Sequence, residues 1–204
     1  MQNFPLPLHT GSMNRSEKWI WLGDHLAVDF ANTTIGREFE TVDLIATVED
    51  AHEWIDLEPT ELPKVEITDE NLPHLRALRD AAGRTLRAAV REEEWDPADT
   101  ALINSLVETG RVFRLLGSRP RGSRLTAGDG FAAFAGVLAA SVVDLLGRDD
   151  LAAIAICEAP GCGQIFHRSR VNQKWCSPGC GNRARVDRHR HRNPHAQRRA
   201  AVSP

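Results

Sequence analysis

All four cysteines of this 204-residue chain, Cys157, Cys162, Cys176 and Cys180, fall inside one short stretch near its C-terminal end. Two chemistries tie four such thiols together: a pair of disulfides, or one shared ion. Nothing else in the sequence points to the oxidising compartment that disulfides require, and in a reducing cytoplasm a metal site is the economical reading. The spacing C-x4-C-x13-C-x3-C gives two close pairs separated by a longer loop, which suits four tetrahedral sulfur ligands. In CEAPGC, Pro160 and Gly161 provide the tight turn that brings the first two sulfurs together. In CSPGC, Ser177 is a good N-cap and Pro178 a good first helical residue, so a helix is predicted from Pro178 to about Arg192. Cys180 then sits in its first turn, where free N–H groups favour a thiolate. With every position filled by protein, the expected zinc ion is single and structural, since catalysis needs an open position. An iron–sulfur cluster also takes four cysteines, but the spacing fits neither common ferredoxin pattern. His167 is a spare ligand type beside four sulfurs that already suffice.

Charge separates the same segment from the rest. Residues 157–204 hold ten Lys and Arg against Glu158 and Asp187, a balance of +8; the remainder carries 15 basic and 26 acidic residues, or -11. Such asymmetry marks a polyanion-binding segment joined to a body of other purpose. Arg168, Arg170, Lys174, Arg183, Arg185, Arg188, Arg190 and Arg192 are the candidate nucleic-acid contacts: they neutralise phosphates, and arginine also pairs with guanine edges. DNA and RNA satisfy this chemistry equally. Trp175, beside a ligand cysteine, reads first as core of a small module and second as a base-stacking platform. One such module buries little surface, so useful affinity calls for a homodimer or for help from the basic arm that follows Pro194.

Upstream, residues 1–16 read as a loose tail without the features of a secretory signal. No apolar run reaches the length of a membrane span, and a cytoplasmic protein is expected. Trp19 to Thr34 reads as a short strand or two leading toward a helix. A helix is predicted through Leu44, Val48, His52 and Ile55, then a loop over 56–71. The clearest amphipathic helix is Leu72 to Glu94, with Leu72, Leu75, Leu78, Ala82, Leu86 and Val90 on one stripe and Asn71 or Asp69 as cap. Asp96-Pro97 starts another, to about Glu108. RVFRLL and SRLTA form a hairpin through GSRPRG. FAAFAGVLAASVVDLLG, apolar nearly all round, is the most buried helix. LAAIAI is a linker or short helix delivering Cys157.

The chain has no G-x-G-x-x-G, P-loop, G-x-S-x-G or H-E-x-x-H, so an enzyme is not expected. His25, Asp29 and Asn32 are polar residues in an apolar setting, candidates for lining a small-molecule pocket; turn and backbone hydrogen bonding is the favoured account of them.

The stretch FHRSRVNQKWCSPGCGNRARVDRHRHR closely resembles the CGNR zinc finger, named for the residues that here are Cys180, Gly181, Asn182 and Arg183. Phe166, Ser169, Trp175, Ser177 and all four cysteines take part in the match. His167 and Arg168 depart from it, standing where relatives carry an acidic residue, and make the loop more basic. LAVDFANT, Leu26 to Thr33, is similar to the opening motif of the ABATE domain, which precedes this finger in its family. The resemblance implies a bacterial stress-response transcription regulator.

The combined expectation is an α+β, mainly α protein. It has a flexible tail (1–16), a helical domain with a small β element that senses a ligand or mediates assembly (17–150), a treble-clef-like four-cysteine zinc finger of the CGNR type (153–196) and a basic flexible tail (197–204). Its expected function is zinc-dependent DNA binding in transcription regulation. The alternatives are a zinc-stabilised RNA-binding or protein-interaction module, or a small-molecule-binding protein that does not bind DNA.

Overall fold

The structure, a computed structural model, describes residues 19, 25–37, 40–116, 123–148 and 151–192. The expected tails (1–16 and 197–204), the strand residues 20–24, the connection 117–122, Pro194, and Arg198 with Arg199 lie outside the described residues.

Leu26–Ala31 is a six-residue helix, α1, inside the run read as a short strand or two leading toward a helix. All six residues are buried; an apolar run enclosed on every side carries no periodicity to distinguish the two. His25 decides for helix by capping it, its Nδ1 accepting the Ala27 N–H at 3.3 Å. Next comes an antiparallel hairpin of Thr34–Arg37 (β1) and Glu40–Asp43 (β2). The helix expected from Leu44 begins later, as α2, Val48–Leu57. Its start is set by a reciprocal cap: the Asp50 N–H donates to Thr47 Oγ1 at 3.1 Å and the Thr47 N–H to the Asp50 carboxylate at 3.2 Å.

The amphipathic stripe forms α3, Leu72–Val90. It stops short of Glu94 because Arg91 caps it and Glu92 turns to a left-handed φ of 59°. Asn71 is the N-cap residue, but its Oδ1 accepts the Thr68 N–H at 2.9 Å instead of a helical one. Asp96 caps α4, Pro97–Thr109, through the Ala98 N–H at 2.7 Å. The expected hairpin is present as Phe113–Leu116 (β3) and Ser123–Thr126 (β4). The apolar segment is α5, Gly130–Leu146, buried from Ala133 to Val142. LAAIAI, expected as a linker or short helix, is helical only in its first half. After a 3-10 turn over Leu151–Ala153, Ile154–Ile156 is a strand, β5, paired antiparallel with Ile165–His167 (β6). The last described element is α6, Pro178–Arg192, with the expected bounds.

Phe30, Trp54, Leu75, Leu78, Leu86, Phe134, Leu138 and Leu145 build the main core, with the Phe30 and Trp54 rings 5.5 Å apart. The β5–β6 hairpin is a wall shared between this core and a second, smaller one. Successive strand residues point to opposite faces, and here Ile154 and Ile165 enter the main core. Ala155 and Phe166, paired across the hairpin, join Cys157, Ala159, Cys162, Cys180 and Ala184 on the other side. The cysteine module is therefore rooted in the helical body. Among the described residues no helix is long and apolar enough to cross a membrane.

Candidate metal centre and basic face

The four cysteine Sγ atoms all lie within 4.8 Å of one another. Cys162–Cys176, Cys176–Cys180 and Cys180–Cys162 are separated by 3.7, 3.5 and 3.7 Å. A tetrahedron of sulfurs about 2.3 Å from a zinc ion has edges of roughly 3.8 Å, so the cage already has the right size. Local structure explains it. Gly161 and Gly163 adopt φ of 66° and 70°, the left-handed turn that folds the first pair back on itself. At the second pair, the Cys180 N–H donates to Ser177 Oγ at 3.2 Å, so Ser177 caps α6 and delivers Cys180 in its first turn.

The thiols are electrostatically crowded. Cys162 is pulled down to about 5, first by the hydrogen bond from Cys176, then by the Gln164 N–H and the other thiols, against burial. Cys176 is pushed up by its bond to Cys162 and by burial, and Cys157 is pushed up chiefly by burial. Four thiolates cannot share this volume without a cation; a divalent ion relieves the conflict, and the donor set suits zinc. The four cysteines are able to hold one zinc ion, whose chemistry here is structural.

Arg183 belongs to this centre. Its Nη2 lies 3.2 Å from Cys180 Sγ and its Nε donates to the Pro160 carbonyl at 2.8 Å, so it ties α6 to the first cysteine turn. Trp175 lies against Gly181, where a Cβ would come within 3.2 Å of the indole, and beneath Arg188, whose guanidinium carbon is 5.9 Å from the ring centre. Gly181 is thus a packing requirement, and Trp175 joins the small core.

The other expected contacts are spread over the module. Arg170, Arg185, Arg188, Arg190 and Arg192 are exposed, as is Lys174, which is 3.1 Å from Glu158. Arg168 is half-buried, its Nε enclosed. Asn182 is exposed and accepts from Arg185 at 2.7 Å. An open cleft of about 840 Å³ between the 169–175 loop and the start of α6 gathers Arg170, Lys174, Trp175, Asn182 and Arg185. Only Cys180, Gly181 and Ala184 of α6 are buried, so the helix beyond Ala184 stands clear of the body.

Two of the expected pocket residues, His25 and Asn32, have structural tasks. His25 caps α1, and Asp29 is buried within it. Asn32, 1% exposed, spends its amide on the finger: its Nδ2 donates to the Ile165 carbonyl at 2.7 Å and its Oδ1 accepts the Ile165 N–H at 3.0 Å. Those two bonds imitate a third strand on the free edge of β6. The next residues continue the seam. Gln164 Nε2 donates to the Thr34 carbonyl at 3.2 Å, and a Cβ on Gly36 would fall 2.9 Å from the Cys162 carbonyl oxygen. No local pattern announces a contact across 133 residues. Arg183 is equally hidden in sequence, where its charge groups it with the other arginines.

Comparison with known families separates the chain at the same seam. A family model, ABATE, described as "Putative stress-induced transcription regulator", matches residues 24–149, and a CGNR zinc finger model matches residues 154–193. Comparison with curated proteins gives no match.

Proposed function

Because the chain belongs to the ABATE family and carries a CGNR zinc finger after it, we propose that it is a zinc-dependent, DNA-binding transcription regulator and not an enzyme. In this reading the finger contacts the duplex and the helical body receives the signal or mediates assembly. One observation carries the proposal: beyond Ala184 no residue of α6 is buried, and all but Val186 and Asp187 are basic, with Arg188 laid over Trp175. Arg185, Arg188, His189, Arg190, His191 and Arg192 all lie outside the buried set of this helix. A helix polar all round has no core to hold it; a polyanion is the partner that gives this one a role. The neighbouring cleft adds Arg170 and Lys174 to the same positive surface. Arg183 is assigned to the metal centre, and Arg168, half-buried, contributes less than the helix.

The deciding measurement is binding of the full chain to duplex DNA and to single- and double-stranded RNA across a salt series, with a metal-free control. Micromolar or tighter duplex binding that weakens with salt and is lost with zinc is expected. Equal or stronger RNA binding transfers the reading to RNA. No nucleic-acid binding at low salt, with zinc retained, overturns it in favour of a protein-interaction module.

A further inference from the structure

A second cleft, of about 350 Å³, lies where α3 and the β1–β2 hairpin meet the first cysteine turn; Thr34, Thr41, Arg84, Arg87, Cys162 and Gly163 are among its lining residues, as is one carboxylate, Asp80, which is held by Arg79 at 2.9 Å. That volume is in the range that holds small metabolites. Its charge is unusual. Five arginines run along α3 and its C-cap, and four of them have a carboxylate within reach. Arg76 and Arg79 share Asp43, Arg84 grips Asp99, and Arg91 is 4.0 Å from Glu93. Among the described residues Arg87 has none. Its guanidinium donates only to backbone carbonyls, Gly83 at 2.9 Å and, weakly, Gly163 at 3.4 Å.

Arg87 is also half-buried. Burial, and after it the charge of Arg91, lower its pKa; Asp80 opposes them, but its carboxylate is bound to Arg79 and not to Arg87. Its posture depends on Gly83, where a Cβ would stand 2.7 Å from Arg87 Nη1. The glycine lets the guanidinium lie back into the cleft beside the finger. In the same wall Thr34 has a buried hydroxyl with no hydrogen-bond partner among the described residues. A partly desolvated guanidinium facing neutral acceptors is costly, and a carboxylate or phosphate meets its forked donors with the missing charge.

We propose that this cleft is an effector site, taking a small molecule through a carboxylate or phosphate group anchored on Arg87 and accompanied by Arg84. It would place the ligand against Gly163, next to the zinc ligand Cys162, at the seam between body and finger. The proposal names the signal site of the reading above, yet ligand binding does not depend on whether the finger binds DNA.

The test is calorimetric titration of the full, zinc-loaded chain at constant ionic strength with inorganic phosphate, with succinate, and with glycerol as neutral control. One-site binding of phosphate or succinate is expected, with no heat from glycerol. Arg87→Met should weaken it about tenfold or more, and Arg185→Met, on the finger, should leave it unchanged. Thr41→Trp fills the cleft from a strand position with every arginine in place; it should abolish binding, and it alone decides if Arg87→Met loses helicity or zinc. Absence of binding up to about 10 mM, binding that survives Thr41→Trp, or binding lost with Arg185→Met and kept with Arg87→Met overturns the proposal. Failure of DNA binding would leave these heats untouched, so the two readings fail separately.

Discussion

At the scale of single residues, Arg183 shows how a charge that looks free can be committed. Four thiolates around one divalent ion leave a net charge of about −2 in a small, half-dry volume. A guanidinium 3.2 Å from Cys180 Sγ, pinned by the Pro160 carbonyl, offsets part of it. Removing partners of this kind usually costs about ten- to a hundredfold in metal affinity. Arg183→Met should therefore surrender zinc to a chromogenic chelator about tenfold more readily than wild type, with Arg183→Lys in between. Arg190→Met, exposed and remote from the sulfurs, should behave as wild type. Equal zinc retention in Arg183→Met and Arg190→Met would return Arg183 to the nucleic-acid face. Asp43 gives a pH-dependent counterpart. Burial alone would raise its pKa, but the hydrogen bond and charge of the Arg79 guanidinium, with help from Arg76 and the Ile45 N–H, hold it below the usual carboxylate range. A depressed folded-state pKa contributes stability that is present above the unfolded value of about 3.9 and fades as pH falls through the folded one. Asp43→Asn should cost about 2 kcal/mol at neutral pH, because buried Arg79 loses one of its two carboxylate partners and keeps Asp80. The wild-type advantage in urea unfolding should shrink below about pH 4; an advantage unchanged at pH 3 would assign it to packing.

At the scale of elements, the β5–β6 hairpin is the part on which both cores depend, and Asn32 is its third strand. Asn32→Ala leaves the Ile165 N–H and carbonyl buried without those partners, at about 1–3 kcal/mol for each group stranded. Gly36→Ala drives a methyl into the Cys162 carbonyl oxygen, 2.9 Å away, with a cost of about 1–3 kcal/mol. Both variants should lower the thermal midpoint of the zinc-loaded chain, while Gly128→Ala, whose Cβ would meet its nearest neighbour at an ordinary 3.5 Å, should not. A Gly36→Ala midpoint equal to wild type would mean that the seam yields freely. These elements also mark how far the sequence is legible. Ser177-Pro178 announces α6 because caps are local chemistry, and the stripe from Leu72 to Val90 announces α3 because one face meets water and the other does not. The LAVDFA helix and the IAI strand are opaque for the opposite reason: each is enclosed by partners, so polarity does not alternate. The cysteine cage is legible from spacing, whereas the Asn32–Ile165 clamp is a tertiary pairing that no window of sequence contains.

At the scale of the whole molecule, the question is whether zinc stabilises a finger or the entire chain. An independent module would keep its sulfurs, its core and its stability to itself. Here the hairpin that leads into the cysteine cage sends Ile154 and Ile165 into the same core as Phe30 and Leu138. The body's own segment from Asn32 to Gly36 is bonded or pressed against residues 162–165. Losing the ion lets the crowded thiols separate, and a module with so small a core does not stay folded without its metal. The hairpin then loses one face, and the body loses the cover over α1. Zinc removal, or Cys176→Ser, should therefore shift the unfolding of the whole chain to lower temperature, followed by circular dichroism for the helices and by tryptophan fluorescence. Because zinc contributes folding free energy directly, the shift should be large, on the order of 10 °C. If the finger melts alone instead, the metal-free chain should show the main helical transition at its original temperature, with only a fraction of the fluorescence reporting the change. That result would make the seam a docking contact between two separately stable units. A common shift of both signals would make the metal centre a structural element of the body, through which the state of the finger and the state of the helices are coupled.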